Sequence, residues 1–199
     1  MFQVRFHGRG GQGAVTAAEL LASAAFREDR HAQAFPSFGS ERMGAPVVAF
    51  CRIDQVPIRR REPIAEPDAV VVQDPTLLHH VNVFGGLSPT GCVLINSGRS
   101  PSQLGLDALR DRLPALRLLT VPASEIAREH LGRPIPNVAL LAGLVALTGV
   151  VGLAALDQAI DERFTGAAAA ANRRAALEAH AHAARELEGS LSRAGARDG

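Results

Sequence analysis

Seven residues near the amino terminus, His7-Gly8-Arg9-Gly10-Gly11-Gln12-Gly13, restrict this chain more than any other stretch. They follow an alternating run, Phe2-Gln3-Val4-Arg5-Phe6, that reads as a short strand with Phe2, Val4 and Phe6 on one face. They precede Ala14 to Phe26, rich in Ala and Leu, which reads as a helix. Gly8, Gly10 and Gly13 fit G-x-G-x-x-G, with Gly11 as an extra glycine. A strand-to-helix turn of this kind can bend tightly, adopt positive φ and bring backbone N–H groups close to an anion. The helix that follows adds unpaired N–H groups and the positive end of its dipole. Arg9 offers a fork of donors and Gln12 a neutral amide. Taken alone, the loop fits two readings: a seat for phosphate or carboxylate, or a device that lets helix and strand pack closely.

Composition removes several classes of function. At 199 residues, 47% hydrophobic and 21% charged, the chain is sized for one soluble domain with a good core. The net charge of +1 and the lack of Trp and Tyr argue against a nucleic-acid partner. Every one of its 21 cations is arginine, which reads as compositional bias. Cys51 and Cys92 lie far apart beside apolar residues and read as free, buried thiols. Two thiols cannot supply the roughly four that an iron–sulfur cluster requires, so the chain is expected to hold none. No charged-then-apolar signal segment opens the sequence, and a cytoplasmic location is expected. The apolar run Val138 to Leu156 is interrupted by Gly143, Gly149 and Gly152 and reads as a buried helix pair, so no membrane partner is expected.

Along the chain, strand-like and helix-like stretches alternate. Strands are expected at His31 to Phe35, Val47 to Ile53, Ala69 to Gln73, Gly91 to Asn96 and Arg117 to Val121. Val56 to Arg59 adds a shorter run, which would form a β-hairpin with Val47 to Ile53. Helices are expected at Leu104 to Leu113 and at Ser124 to Leu131, the latter with Ser124 as its cap, and then at Val138 to Leu147, Gly152 to Phe164 and Gly166 to about Leu191. Asp74 and Pro75 fit the N-cap and first turn of a further helix. The expected fold is therefore α/β: a single Rossmann-like domain over residues 1–191, with a mostly parallel sheet, a β-hairpin insertion, helices on both faces and a helical C-terminus. Residues 192–199 are expected to fray. In such sheets ligands lie beyond the carboxyl ends of the strands. The glycine loop, Gln73-Asp74-Pro75 and Asn96-Ser97-Gly98 would share that rim.

A nicotinamide- or flavin-binding domain should carry an acid at the end of its second strand, about twenty residues on, to hold the ribose. Here that region is Ala32-Gln33-Ala34-Phe35-Pro36, and the nearest acids, Glu28 and Asp29, precede it. The dinucleotide reading weakens, whereas an anion needs only the loop and the helix end. No catalytic constellation and no metal-ligand spacing emerges. His79-His80 and the pair His180 and His182 match none, and Ser37 and Ser40 lack a nucleophile elbow. Arg59-Arg60-Arg61 reads as a solvated edge.

A second motif, Phe35-Pro36-Ser37-Phe38-Gly39-Ser40-Glu41-Arg42-Met43-Gly44-Ala45-Pro46-Val47, completes a pattern with the glycine loop. Gln73-Asp74-Pro75-Thr76-Leu77-Leu78, Gly91-Cys92-Val93-Leu94-Ile95-Asn96 and Pro136-Asn137-Val138-Ala139-Leu140-Leu141 follow in order. Together, over roughly residues 2 to 165, the chain resembles the gamma subunit of 2-oxoacid:ferredoxin oxidoreductases, with pyruvate:ferredoxin oxidoreductase (pyruvate synthase) the nearest likeness. The resemblance implies a subunit that is inactive alone. Its complex would convert a 2-oxoacid and coenzyme A to acyl-CoA, CO2 and reduced ferredoxin. Thiamine diphosphate and Mg2+ would be held by alpha and beta subunits, and [4Fe-4S] clusters by the beta and a ferredoxin-like delta subunit. On this reading Gly8, Arg9, Gly10, Gly11, Gln12, Gly13 and Arg42 are the candidates to meet the phosphates of coenzyme A. Ser37, Phe38, Gly39, Glu41 and Gly44 are candidates for an intersubunit contact. Two alternatives stay open: a purely structural assembly subunit, and an NAD(P)-binding oxidoreductase domain.

Overall fold

The computed structural model describes residues 1–37, 44–112 and 117–195. The chain forms β1 (Phe2–Arg9), α1 (Ala14–Phe26), β2 (His31–Pro36), β3 (Pro46–Asp54), β4 (Ala69–Val72), β5 (Cys92–Asn96), α2 (Asp107–Arg112) and β6 (Leu118–Val121), followed by α3 (Ala123–Leu131), α4 (Asn137–Thr148), α5 (Leu153–Arg163) and α6 (Gly166–Gly195). Two short 3-10 turns, Pro75–His79 and Ser102–Leu104, lie between the later strands.

The six strands run in the order β2-β3-β1-β4-β5-β6. β1, β4, β5 and β6 pair in parallel. β3 is antiparallel to both β1 and β2. A hairpin is present, but its arms differ from those expected. Val47 to Ile53 lies in β3 and its partner is β2, reached through residues 37–45, while Val56 to Arg59 is irregular. Both edges of β3 are already taken by β1 and β2, and Pro57 could not donate to a ladder in any case.

The two faces of the sheet are covered unequally. Val4, Phe6, Val71 and Leu94 point into the main core, to which α1, α3, α4, α5 and α6 all contribute. The opposite face carries Val70, Val72, Val93 and Ile95 under the Pro75–His79 turn, residues 83–87 and α2. The expectation of helices on both faces therefore holds only for the lopsided case, with five helices against one among the described residues. α4 is buried almost all round, which accounts for its nearly unbroken apolar sequence.

Around β1 and β3 the second face is polar yet covered. Arg5 donates to His7 Nε2 (3.0 Å) and to the carbonyls of Ile64 (3.4 Å), Val83 (2.9 Å) and Gly85 (2.6 Å). Arg52, 1% exposed, donates to the Gln3 and Gln33 side chains and to the Glu62 carbonyl, and its guanidinium lies over the Phe35 ring. Two cations are thus buried on neutral acceptors, which satisfies their donors without a carboxylate.

Candidate functional site

The order of strands reverses between the parallel neighbours β1 and β4. From β1 the path crosses through α1 to β2 and β3 on one side, then returns to β4, β5 and β6 on the other. This is the topological switch point, where the carboxyl ends of two adjacent parallel strands leave a crevice. The glycine loop leaves β1 there, and Gln73-Asp74 leaves β4 there, joined to β1 by the Gln73 N–H on the His7 carbonyl (2.7 Å).

The backbone of the loop requires glycine at particular positions. Gly11 and Gly13 have φ of 94° and 76°, in the left-handed region that favours glycine. Gly13 is the N-cap of α1, and a Cβ there would collide with the Asn137 carboxamide at the start of α4. At Gly8 a Cβ would lie 2.7 Å from Gln73 Oε1 and 3.3 Å from Gln12 Oε1. Gly10 exchanges backbone hydrogen bonds with the segment that leads into β3: its N–H donates to Ala45 O (2.9 Å), and its carbonyl accepts from Gly44 N–H (3.2 Å). The two sequence motifs therefore touch, through Gly10, Gly44 and Ala45. Ser37 sits just beyond β2, its N–H donating to the Val48 carbonyl (2.7 Å). Phe38, Gly39, Glu41 and Arg42 lie outside the described residues.

Arg9 faces inward along the rim. Its Nε donates to Asp74 Oδ2 (3.0 Å), Nη1 to the Gly44 carbonyl (3.1 Å) and Nη2 to Thr76 Oγ1 (2.8 Å). Gln12 accepts from the Arg9 N–H (2.7 Å) and donates to the same Asp74 oxygen (3.2 Å). The other oxygen, Oδ1, accepts from the Thr76 N–H (2.9 Å) and hydroxyl (2.6 Å), so Asp74 is the N-cap that the sequence indicated. Burial works to raise the Asp74 carboxyl, but Thr76, Arg9 and Gln12 together hold it below the ordinary carboxylate range.

Beneath the loop lie side chains whose part in the site the sequence reading did not separate from strand ends. Gln73 is fully buried, and neither atom of its carboxamide has a hydrogen-bond partner among the described residues. Asn96 at the end of β5 donates to the Gln73 carbonyl (2.8 Å) and to Ser124 Oγ (2.7 Å), and accepts from the Ser124 N–H (3.0 Å). Ser124 is thereby a residue within α3, not its cap, a position that Pro122 holds. The N-termini of α1, α3 and α4 converge here; none of their N-cap residues makes a side-chain hydrogen bond, although Asn96 Oδ1 accepts from an α3 N–H and Asn137 Oδ1 from the Val138 N–H of α4. The signals were present in Gln73-Asp74, Asn96-Ser97 and Pro136-Asn137, polar residues abutting apolar runs.

His7 precedes the loop on the opposite face of the sheet. Burial, reinforced by Arg5, lowers its pKa to about 4, so it stays neutral and accepts from Arg5. Burial pushes the Cys92 thiol up to about 12, and Cys51 higher still. They lie on β5 and β3, separated by β1 and β4, and do not fit a cluster site. The dinucleotide reading also loses its geometry. The place of the parallel second strand beside β1 is held by antiparallel β3, and Glu28 is engaged with the Gly152 N–H (2.6 Å).

Comparison with known proteins gives one consistent result. Residues 3–182 match the family described as pyruvate ferredoxin/flavodoxin oxidoreductase. The chain is 51% identical, over 90% of its length and 95% of the relative's, to the pyruvate/ketoisovalerate oxidoreductases common subunit gamma of Thermococcus kodakarensis. It is 47% identical, over 90% and 94%, to the pyruvate synthase subunit PorC of Methanothermobacter thermautotrophicus. Among solved structures, the pyruvate oxidoreductase subunit PORC of Thermotoga maritima superposes with a TM-score of 0.76 at 36% identity, covering 90% of this chain and 94% of that one. The chain therefore belongs to the pyruvate ferredoxin/flavodoxin oxidoreductase family, as a gamma-type subunit of the 2-oxoacid oxidoreductase complexes.

Proposed function

We propose that this subunit presents its glycine loop to the phosphates of coenzyme A, within a complex that takes a 2-oxoacid, coenzyme A and oxidised ferredoxin to acyl-CoA, CO2 and reduced ferredoxin. Pyruvate is the 2-oxoacid that the names of its relatives favour. Alpha, beta and ferredoxin-like delta chains are the partners in this reading. They hold the thiamine diphosphate, Mg2+ and [4Fe-4S] clusters, and the carbon and electron chemistry is theirs. The observation that carries the proposal is the uncapped N-terminus of α1, reached through glycines at the switch point, above a buried Gln73 carboxamide with no partner. Helix N–H groups favour phosphate, and a free buried amide is a donor in want of an acceptor.

A second reading has its own support. Nε, Nη1 and Nη2 of Arg9 each already donate within the chain, as they would in a loop that only braces a neighbouring subunit. One experiment separates the two. In the assembled complex, Arg9→Ala should raise the apparent KM for coenzyme A by roughly ten- to a hundredfold, the span of a charge-assisted phosphate contact. The KM for the 2-oxoacid should stay as it was. An unchanged apparent affinity for coenzyme A would sink the phosphate reading and leave the bracing one.

A further inference from the structure

We infer that Asp74 is a place-holder and selectivity residue of the glycine-loop site: in the empty chain it occupies the donors that a ligand phosphate would take, and so keeps simple carboxylates out. This rests on the coenzyme A reading above. Arg9 and Gln12 are the two side chains between Gly8 and Gly13 with polar donors, and both donate to one oxygen, Asp74 Oδ2, at 3.0 Å and 3.2 Å. The second oxygen is fixed separately by the Thr76 N–H and hydroxyl. The carboxylate can therefore release Oδ2 without losing its anchor. The pair lies at the solvent boundary, with side chains 29% exposed for Arg9 and 14% for Asp74, where an arriving anion can reach it. Gln73, the adjoining residue, sets its unpartnered carboxamide against Gly8 on the same crevice, and a flip of that group would turn its NH2 donor toward the loop.

The chemistry then separates ligands by charge. A monoanionic carboxylate entering the crevice replaces one carboxylate on Arg9 by another and meets the repulsion of Asp74, so it gains nothing. A diphosphate meets that repulsion more strongly still, but it brings enough acceptor oxygens for Arg9, Gln12 and the first N–H groups of α1 together, and those contacts outweigh it. The distinction matters in this complex because its other substrate, a 2-oxoacid, is itself a carboxylate. An uncovered arginine beside a helix N-terminus would bind it. A built-in acid discriminates by making the wrong ligand unfavourable.

The test uses the assembled complex with Asp74→Asn, which keeps an acceptor for the Thr76 N–H and is itself a good N-cap residue. Asp74→Ser, a second capping residue, guards against a defect peculiar to asparagine. The expected result is a KM for coenzyme A lowered roughly three- to tenfold, the range for releasing a partly exposed ion pair. Acetate should at the same time become a competitive inhibitor against coenzyme A, and should not inhibit the unaltered complex in this way. In an Arg9→Ala background the same substitution should have a smaller effect on that KM, since only the Gln12 donor and the Asp74 charge are then still in play. A KM raised by both Asp74 variants would make Asp74 a brace for the loop and overturn the inference. If Arg9→Ala and Asp74→Asn both leave the KM for coenzyme A unchanged, the ligand reading beneath it fails as well.

Discussion

Gly13 concentrates three demands in one residue. It caps α1, holds φ at 76° and lets the start of α4 approach through Asn137. Alanine at this position would carry left-handed strain and a collision with the buried Asn137 carboxamide. Gly13→Ala should cost about 2–3 kcal/mol, and a urea midpoint equal to that of the unaltered protein would refute the account. That glycines were needed here was legible from their spacing at a strand-to-helix turn. The identity of the colliding partner was not, because Asn137 lies more than a hundred residues away and only the packing of α4 brings it in. Gln73 was hidden for a related reason. Its neighbour Asp74 advertised a cap, whereas an unpaired amide has no pattern of its own.

Elements were easiest to read where their cause is local. α1 begins and ends at the expected Ala14 and Phe26, set by a glycine before it and a charged break after it. α4 follows the apolar run that composition marked as buried. Leu141 within it is fully buried in the main core. Leu141→Ala should lower stability by about 2–5 kcal/mol, read as a fall in the denaturation midpoint with little change of slope. The hairpin was misread because β-propensity does not say which edge is vacant. Val56 to Arg59 has the composition of a strand, but both edges of β3, the strand it follows, are taken. The alternation of Phe2, Val4 and Phe6 was read correctly, yet Arg5 and His7 between them are buried too. The carbonyls that receive Arg5 belong to residues 64, 83 and 85, a cover that no local period announces.

For the molecule as a whole, that buried polar layer gives stability a pH dependence with a definite sign. His7 holds its proton less readily in the folded chain, near pH 4, than its ordinary 6.5. Between those values the unfolded chain takes up a proton that the folded chain refuses, so stability is complete above pH 6.5 and falls as pH drops toward 4. The full loss attributable to His7 is about 3 kcal/mol. His7→Gln, which keeps an acceptor for Arg5, should flatten this part of the profile when urea midpoints are compared at pH 7.5 and 4.5. Identical pH profiles for the two proteins would remove His7 as the cause. Asp74 acts in the same direction at lower pH, its depressed carboxyl losing its contribution as it protonates. Among the described residues no helix is long and apolar enough to cross a membrane.

The two-way backbone bridge from Gly10 to Gly44 and Ala45 makes the glycine loop and the hairpin a single lever. β3 is laddered to β1 from Pro46 to Ile53, and it is Gly44 and Ala45, just ahead of it, that are tied to the loop. A displacement of Gly10 by whatever settles on the loop is therefore delivered to Gly44 and Ala45 ahead of β3, far along the sequence and one hydrogen bond away in space. A backbone isotope label at Gly44, whose N–H bonds Gly10 and whose carbonyl accepts from Arg9, would report occupancy of the loop.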